Sequence, residues 1–276
     1  ILAGLRGADI PSVGTTTFRP PFAPVTLGTL VGREVGSDYA PIRRTAMHDW
    51  HEKAGALFTP AGLWLRPRVY PRGNESITQA ARREAAAVRN SVGLVDVSTL
   101  GKIDIQGSDA VELLERVYTN GWRSLKVGRS RYGLMLREDG MVFDDGTTTR
   151  IGENHYYMTT TTANAVPVMR HLEYCLQVLW PDLDVHAVSV TEQWAGMAIA
   201  GPNARAVLAA VAGGANVGTE AVPFLGYAEI EIAGLPARLF RISYSGELAY
   251  EVHVPADYGL AVWEALMDAG QPYDIV

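Results

Sequence analysis

Two neighbouring carboxylates, Asp144 and Asp145, close the run R-Y-G-L-M-L-R-E-D-G-M-V-F-D-D at Arg131–Asp145. Upstream, Asp139-Gly140 stands between the apolar runs Tyr132–Leu136 and Met141–Phe143. A D-G pair between alternating hydrophobics signals a hairpin, because glycine takes the positive φ of the tight turn. Side chains alternate along a strand, so Met141, Phe143 and Asp145 share one face and Asp144 falls with Val142 on the other. Asp145 then continues an apolar face. A carboxylate there is costly unless something pairs with it or uses it, which makes it a candidate functional acid. The plain alternative is that D-D-G ends the strand in solvated turn residues.

The second half of the chain carries a matching acid. Glu251 lies five residues after the turn glycine Gly246, as Asp145 lies five residues after Gly140. Each half is thus expected to place one carboxylate at an equivalent spot on a second hairpin strand, facing a shared central pocket. Two histidines, His48 and His51, stand at i, i+3 on a short helical stretch with no third ligand nearby. They read as surface residues, and no metal site is expected. The lone cysteine, Cys175, excludes an internal disulfide and a cysteine-based metal cluster, and reads as core packing.

These residues need elements to hold them. Residues 1–44 show no sustained periodicity, and Pro11, Pro20, Pro21 and Pro24 favour extended backbone, so an arm or linker is expected there, ordered over residues 15–44. Thr45 is placed to cap a helix A-M-H-D-W-H-E-K-A that ends at Gly55. Trp64–Pro71 reads as an irregular aromatic loop. Ser76 and Gln79 form a capping box for a helix rich in strong formers, whose Arg82, Arg83 and Arg89 read as a solvated face. Then come a strand Lys102–Gln106, a helix from Asp109, the hairpin, a strand H-Y-Y-M-T-T-T-T and a helix. That helix carries Val166, Met169, Leu172, Leu176 and Leu179 as its apolar stripe. The order recurs after Ser189, with G-M-A-I-A, a helix after Gly201-Pro202, a hairpin turning at Ser245-Gly246 and a helix from Asp257. I-D-I-Q-G-S-D-A and M-A-I-A-G-P-N-A are the matching anchors. The fold class is therefore α+β, with two pseudo-repeated strand–helix–hairpin–helix halves at about 96–185 and 186–276.

Composition narrows the function class. The 276 residues have 47% hydrophobic and 20% charged content, as in an ordinary soluble protein. A net charge of −6 argues against nucleic acid. No apolar stretch is long enough to span a bilayer and no secretory leader is seen, so a cytoplasmic location is expected, with no membrane partner. The start at Ile-Leu-Ala and the stop at Asp274-Ile275-Val276 read as the edges of a piece of a longer polypeptide.

Gly93–Gly107, the hairpin D-G-M-V-F-D-D, the turn I-A-G-P-N-A and the strand S-G-E-L-A-Y-E-V resemble the aminomethyltransferases, the glycine-cleavage T-protein and its relatives. The arm T-T-T-F-R-P-P-F-A-P-V-T, the helix M-H-D-W-H-E and the run S-V-T-E-Q-W resemble a narrower group, the C-terminal half of the α subunits of heterotetrameric sarcosine oxidases. The resemblance covers residue 15 to the end. It implies a folate-binding region over residues 45–276 that binds tetrahydrofolate at the centre of a three-lobed molecule, whose third lobe, with an arginine of the site, lies past Val276.

By the same resemblance, Asp145 stands near the folate nitrogens that accept the one-carbon unit. Glu251 grips the pterin edge, Tyr132 lines the site, and Thr159, Thr160 and Thr161 make backbone pterin contacts. The chemistry is consistent with these roles. A pterin offers N3–H and a 2-amino group side by side, which suits a bidentate carboxylate. One-carbon capture passes through an iminium cation, which an ionised Asp145 would stabilise while serving as proton acceptor. The function implied is transfer of the carbon of oxidised sarcosine to tetrahydrofolate, giving 5,10-methylenetetrahydrofolate. FMN, FAD and NAD would belong to the wider complex, with a flavin-bearing β subunit as partner. Two alternatives remain: a T-protein-like transferase fed by a lipoyl carrier, and a non-catalytic folate-binding assembly module. The second is weakened because no K-G-C-Y-x-G-Q motif occurs.

Overall fold

The computed structural model describes residues 4, 5, 7–9 and 42–276. The chain divides into two units, residues 1–42 and 43–276, and every element below belongs to the second. Of the stretch expected to be ordered, residues 15–44, only residues 42–44 lie among the described residues.

The second unit opens with α1 (His48–Lys53), β1 (Leu57–Ala61), β2 (Trp64–Val69) and α2 (Ile77–Asn90). Thr45 does not cap α1. Met47 is the N-cap and no side chain bonds there, because the Thr45 carbonyl, not its hydroxyl, takes the His48 N–H at 3.1 Å. Trp64–Val69 is a strand rather than a loop. It pairs antiparallel with β1 around a turn at Gly62, φ +58°, and this two-stranded ribbon leaves Pro67 without a second neighbour to donate to. The capping box of α2 forms as read. Gln79 N donates to Ser76 Oγ at 3.3 Å and Ser76 N to Gln79 Oε1 at 2.9 Å. On that helix Arg83 is not simply solvated, since it chelates Glu75 and donates to the Tyr70 carbonyl at 2.7 Å.

Two five-stranded sheets follow. The first-half sheet contains β4 (Gly101–Gln106), β5 (Arg129–Leu136), β6 (Val142–Gly152), β7 (His155–Thr160) and β8 (His186–Ser189), in the order β5-β6-β7-β4-β8. The second-half sheet adds β3 (Gly93–Asp96) to β9 (Trp194–Ala200), β10 (Tyr227–Ile232), β11 (Leu235–Phe240) and β12 (Ala249–Pro255), in the order β10-β11-β12-β9-β3. Each half is therefore strand, helix, three-stranded meander, helix. The expected two-stranded hairpin was one strand short in the second half, where β10 turns into β11 at Ala233-Gly234.

Each sheet has one greasy face covered by two helices. In the first half α3 (Ala110–Val117) and α4 (Ala165–Tyr174) pack Leu113, Leu114, Val168 and Leu172 on Ile103, Ile105, Tyr156 and Met158. In the second half α5 (Ala204–Val211) and α6 (Gly259–Gly270) pack Val207, Leu208, Val262 and Leu266 on Met197, Ile199, Val252 and Val254. The buried stripe of α4 is Val168, Leu172 and Cys175, with Met169 and Leu176 beside it, not the stripe through Val166 and Leu179, which are exposed. A π-helical turn at Cys175–Leu179 follows α4, and its wider winding breaks the 3.6-residue period on which that stripe depends. The other faces of the two sheets meet. Tyr157 stacks on Phe240 with ring centroids 5.7 Å apart, and Val190 completes this third apolar cluster. The order of layers is helix, sheet, sheet, helix.

Candidate functional site

The inner face of the first-half sheet carries a straight polar row. Lys102 on β4 lies opposite Thr159 on β7. Thr159 Oγ1 bonds the N–H of Thr147 on β6 at 3.1 Å and its hydroxyl at 3.0 Å. Thr147 in turn lies opposite Tyr132 on β5. Asp145, two residues along β6 from Thr147, accepts a hydrogen bond from the Tyr132 hydroxyl at 2.8 Å. Tyr132, Asp145 and Thr159 are thus brought to one face, joined by Thr147. That face is polar, not the continuation of an apolar one, for Met141 is 61% exposed and its neighbours here are threonines. The hydrogen bond to Asp145 raises the Tyr132 hydroxyl above its ordinary value.

Asp144 points the other way, as strand parity requires. It is buried and takes hydrogen bonds from Thr161 Oγ1 at 2.5 Å, Thr161 N at 3.3 Å and Asn164 Nδ2 at 3.2 Å. Burial nevertheless raises its carboxyl above the usual range. Its role is to tie β6 to the end of β7. The three threonines divide accordingly. Thr159 faces the row, Thr160 is buried opposite Gly101, and the Thr161 amide is committed to Asp144.

Glu251 sits on β12 between Phe240 and Ala198, on the side of its sheet that turns to the first half. Its carboxylate Oε2 lies 3.4 Å from His253 Nε2, while His253 Nδ1 meets the Tyr157 hydroxyl at 3.0 Å. Arg238 lies opposite His253, its guanidinium 4.9 Å from the ring centre of Tyr157 and 4.1 Å from that of Trp194. His253 has no solvent exposure, and burial, which dominates, lowers its pKa, with Glu251 opposing and Lys102 and Arg238 adding to the fall. The imidazole is therefore neutral near pH 7. Lys102 is also wholly buried and donates to the carbonyls of Ser98 at 2.7 Å, Leu100 at 3.0 Å and Thr191 at 3.3 Å.

Asp145 and Glu251 do not occupy equivalent places, although both turn inward. Gly140 makes the β5–β6 turn, whereas Gly246 lies between β11 and β12, the counterpart of the β6–β7 turn. With the anchors Ile103 and Met197 superposed, their ladder partners Met158 and Val252 correspond, so Glu251 corresponds to Tyr157. The shared five-residue offset is a coincidence of spacing.

The expected surface histidines are both buried. His51 links the Tyr70 hydroxyl, 2.7 Å from Nδ1, to Asp96, 3.2 Å from Nε2, and Ser98 N donates to the same carboxylate at 2.9 Å. Tyr70 and Asp96 border a cavity of about 220 Å³ that Trp50, Leu94, Trp263 and Met267 also line. Neither Asp145 nor Glu251 reaches it. Among the described residues no group of His, Cys, Asp and Glu is arranged to hold a metal ion. None of their helices is long and apolar enough to cross a membrane. The residues missed by sequence reasoning are Lys102, Thr147, Tyr157, Arg238 and His253. All but Arg238 share strand parity with a residue already singled out or paired with one.

Residues 47–276 match the family described as GCVT N-terminal domain. The chain belongs to this family. The whole chain is 51% identical to sarcosine oxidase subunit alpha of Rhizobium meliloti (strain 1021), covering 28% of that protein. It is 48% identical to the same subunit of Corynebacterium sp. (strain U-96), covering 29%. The chain thus spans less than a third of these curated relatives. Among solved structures it is similar to the glycine cleavage system aminomethyltransferase T of Bartonella henselae, with a TM-score of 0.70 and 28% identity, over 82% of this chain and 57% of that one. Within the GCVT family architecture, the polar row and Glu251 stand on the two facing sheets.

Proposed function

We propose that this chain is the folate-binding region of a sarcosine oxidase α subunit. In this reading it passes the carbon of oxidised sarcosine to tetrahydrofolate, giving 5,10-methylenetetrahydrofolate. The observation that carries the reading is the Tyr132–Asp145 hydrogen bond at the end of an inner polar row, with a second inward carboxylate, Glu251, on the opposite sheet. Reduced folate, when bound, supplies the nucleophilic nitrogen that accepts the carbon unit. The donor and acceptor set suits it. Glu251, acceptor-only when ionised, matches the paired N3–H and 2-amino donors of a pterin. Asp145, fixed by Tyr132, would offset positive charge on the reacting group and accept the proton that the nitrogen releases. Thr159 and Thr147 add hydroxyls along the floor.

Sarcosine oxidation, with FAD, FMN and NAD, would take place elsewhere in the complex, on or near a flavin-bearing β subunit. A cytoplasmic place accords with a single, free and buried Cys175. The similarity to oxidase α subunits along the whole chain favours this reading over a free T-protein-like transferase. Calorimetric titration of tetrahydrofolate into the full-length protein tests it. Saturable binding that weakens by roughly 1–3 kcal/mol in Glu251→Gln is expected, one acceptor being replaced by a donor that faces a donor. Absence of binding by the wild-type protein would refute the reading.

A further inference from the structure

His253 joins Glu251 to the first half of the molecule. It has no solvent exposure and both ring nitrogens face polar groups, the Tyr157 hydroxyl at 3.0 Å and the Glu251 carboxylate at 3.4 Å. A neutral imidazole has one donor and one acceptor nitrogen, and its tautomer follows from its neighbours. A carboxylate only accepts, so Nε2 carries the proton toward Glu251, and Nδ1 accepts from the Tyr157 hydroxyl. At 3.4 Å the Nε2–H meets the carboxylate without an aligned hydrogen bond, and among the described residues it has no other partner. A fully buried donor left in that state costs free energy that a small shift of the carboxylate would recover. The cations near the ring, Lys102 across the seam and Arg238 on the adjacent strand, oppose its protonation. Burial first, and these cations with it, keep the imidazole a one-proton donor rather than a second charge.

We propose that His253 is a positioning residue for Glu251: backed by Tyr157, it directs Nε2–H at the carboxylate and fixes it where a paired donor edge can be read. This rests on the reading that Glu251 binds the pterin edge. The arrangement crosses the seam, with the backing hydroxyl from one half and the carboxylate from the other, so it also sets the separation of the two sheets at the site. Positioning of this kind is felt in discrimination more than in bulk affinity. A site built to meet two donors rejects a ligand that lacks one, because the unmatched acceptor stays desolvated.

The test compares binding of tetrahydrofolate and its 2-desamino analogue to the full-length protein by calorimetry. The wild type is expected to favour tetrahydrofolate by about tenfold or more. His253→Leu and Tyr157→Phe should narrow that ratio to below about threefold, while His253→Gln, which retains an N–H toward Glu251, should keep it. A merely structural role would weaken both ligands equally and leave the ratio alone, and that result overturns the inference. If His253→Leu does not fold, Tyr157→Phe, which removes one hydroxyl, decides in its place. A wild type with no discrimination, together with Glu251→Gln binding at full strength, would remove the pterin reading and this inference with it. An intact wild-type ratio preserved in Tyr157→Phe and His253→Leu removes the inference alone.

Discussion

Tyr157 and Glu251 hold corresponding positions in the two halves, one on β7 and one on β12, and both turn into the seam between the sheets. The pseudo-repeat has therefore placed an aromatic anchor in one half and a carboxylate in the other. Tyr157 fills the seam against Phe240 and backs His253, while Glu251 lies with its Oε2 3.4 Å from His253 Nε2. Asp145 is not part of this pair, since it stands on β6, whose counterpart in the second half is β11. The two carboxylates thus have room for different work.

On the proposed function, that difference separates binding from chemistry. Asp145→Asn keeps the shape and the contact with Tyr132 but cannot offset a positive charge or accept a proton. Folate affinity should change little, while methylenetetrahydrofolate yield falls by on the order of a hundredfold. Sarcosine consumption should continue, with free formaldehyde as the product. The measurement pairs tetrahydrofolate affinity with the split of product, and loss of affinity in Asp145→Asn with normal transfer would reverse the assigned roles.

Tyr132→Phe isolates the group that holds Asp145. The ring is 52% exposed, so its hydroxyl contributes little to stability, and unfolding free energy should stay within about 0.5 kcal/mol of wild type. Transfer should fall by roughly tenfold through looser placement of the carboxylate. A Tyr132→Phe protein with full transfer activity would show that the 2.8 Å hydrogen bond has no part in the reaction.

Local signals were legible where the chain announces them locally. The β5–β6 hairpin was readable because Asp139-Gly140 supplies its turn, with Gly140 at φ +80°. The β10–β11 hairpin turns at Ala233 and Gly234, with Ala233 itself at φ +51°. An alanine in that region gives no turn signal, so the third meander strand was overlooked although Glu229, Ile230, Glu231 and Ile232 alternate. Strand parity correctly sent Asp144 and Asp145 to opposite faces. What parity could not tell is what surrounds Asp145 on that face: along the strand Met141 and Phe143 suggest apolar neighbours, whereas Thr147, Thr159 and Tyr132 are brought there by pairing across the sheet. His51 failed for a similar reason. Its spacing to His48 is local, whereas Asp96, the partner that draws it inside, is 45 residues away.

That buried link gives a stability prediction. Asp96 has almost no exposure; burial pushes its carboxyl up, but hydrogen bonds from His51 and Ser98 outweigh it and hold it below its ordinary value. A carboxylate depressed in the folded state contributes stability above its unfolded pKa of 3.8, which is lost as pH falls through the lower folded value. His51→Phe leaves Asp96 short of a partner and should cost roughly 3–5 kcal/mol at pH 7. It should also raise the pH at which the protein unfolds in acid. Urea unfolding at pH 7 and an acid titration check this, and a loss below about 1 kcal/mol would show that Asp96 is satisfied without the histidine.

Lys102 gives a pH dependence of the same sign in the alkaline range. Its ammonium lies among three neutral carbonyls, and burial, partly offset by Asp96 and Glu251, lowers its pKa from 10.5 to about 8. Between those values the unfolded chain holds the proton that the folded chain has released, so unfolding takes up a proton and stability rises with pH. Above pH 10 the buried tyrosines Tyr118 and Tyr157, raised by burial, act in the reverse sense, because the unfolded chain then loses their protons first. The window is therefore pH 8 to 10, over which this lysine should add about 2 kcal/mol. Lys102→Met removes the titrating group and should lose that rise, although it leaves three carbonyls without their donor and is less stable throughout. Denaturant unfolding of both proteins at the two pH values reads the difference. Equal slopes in wild type and Lys102→Met would mean that the ammonium is compensated in the folded protein, with Glu251 its counter-ion rather than a free acceptor.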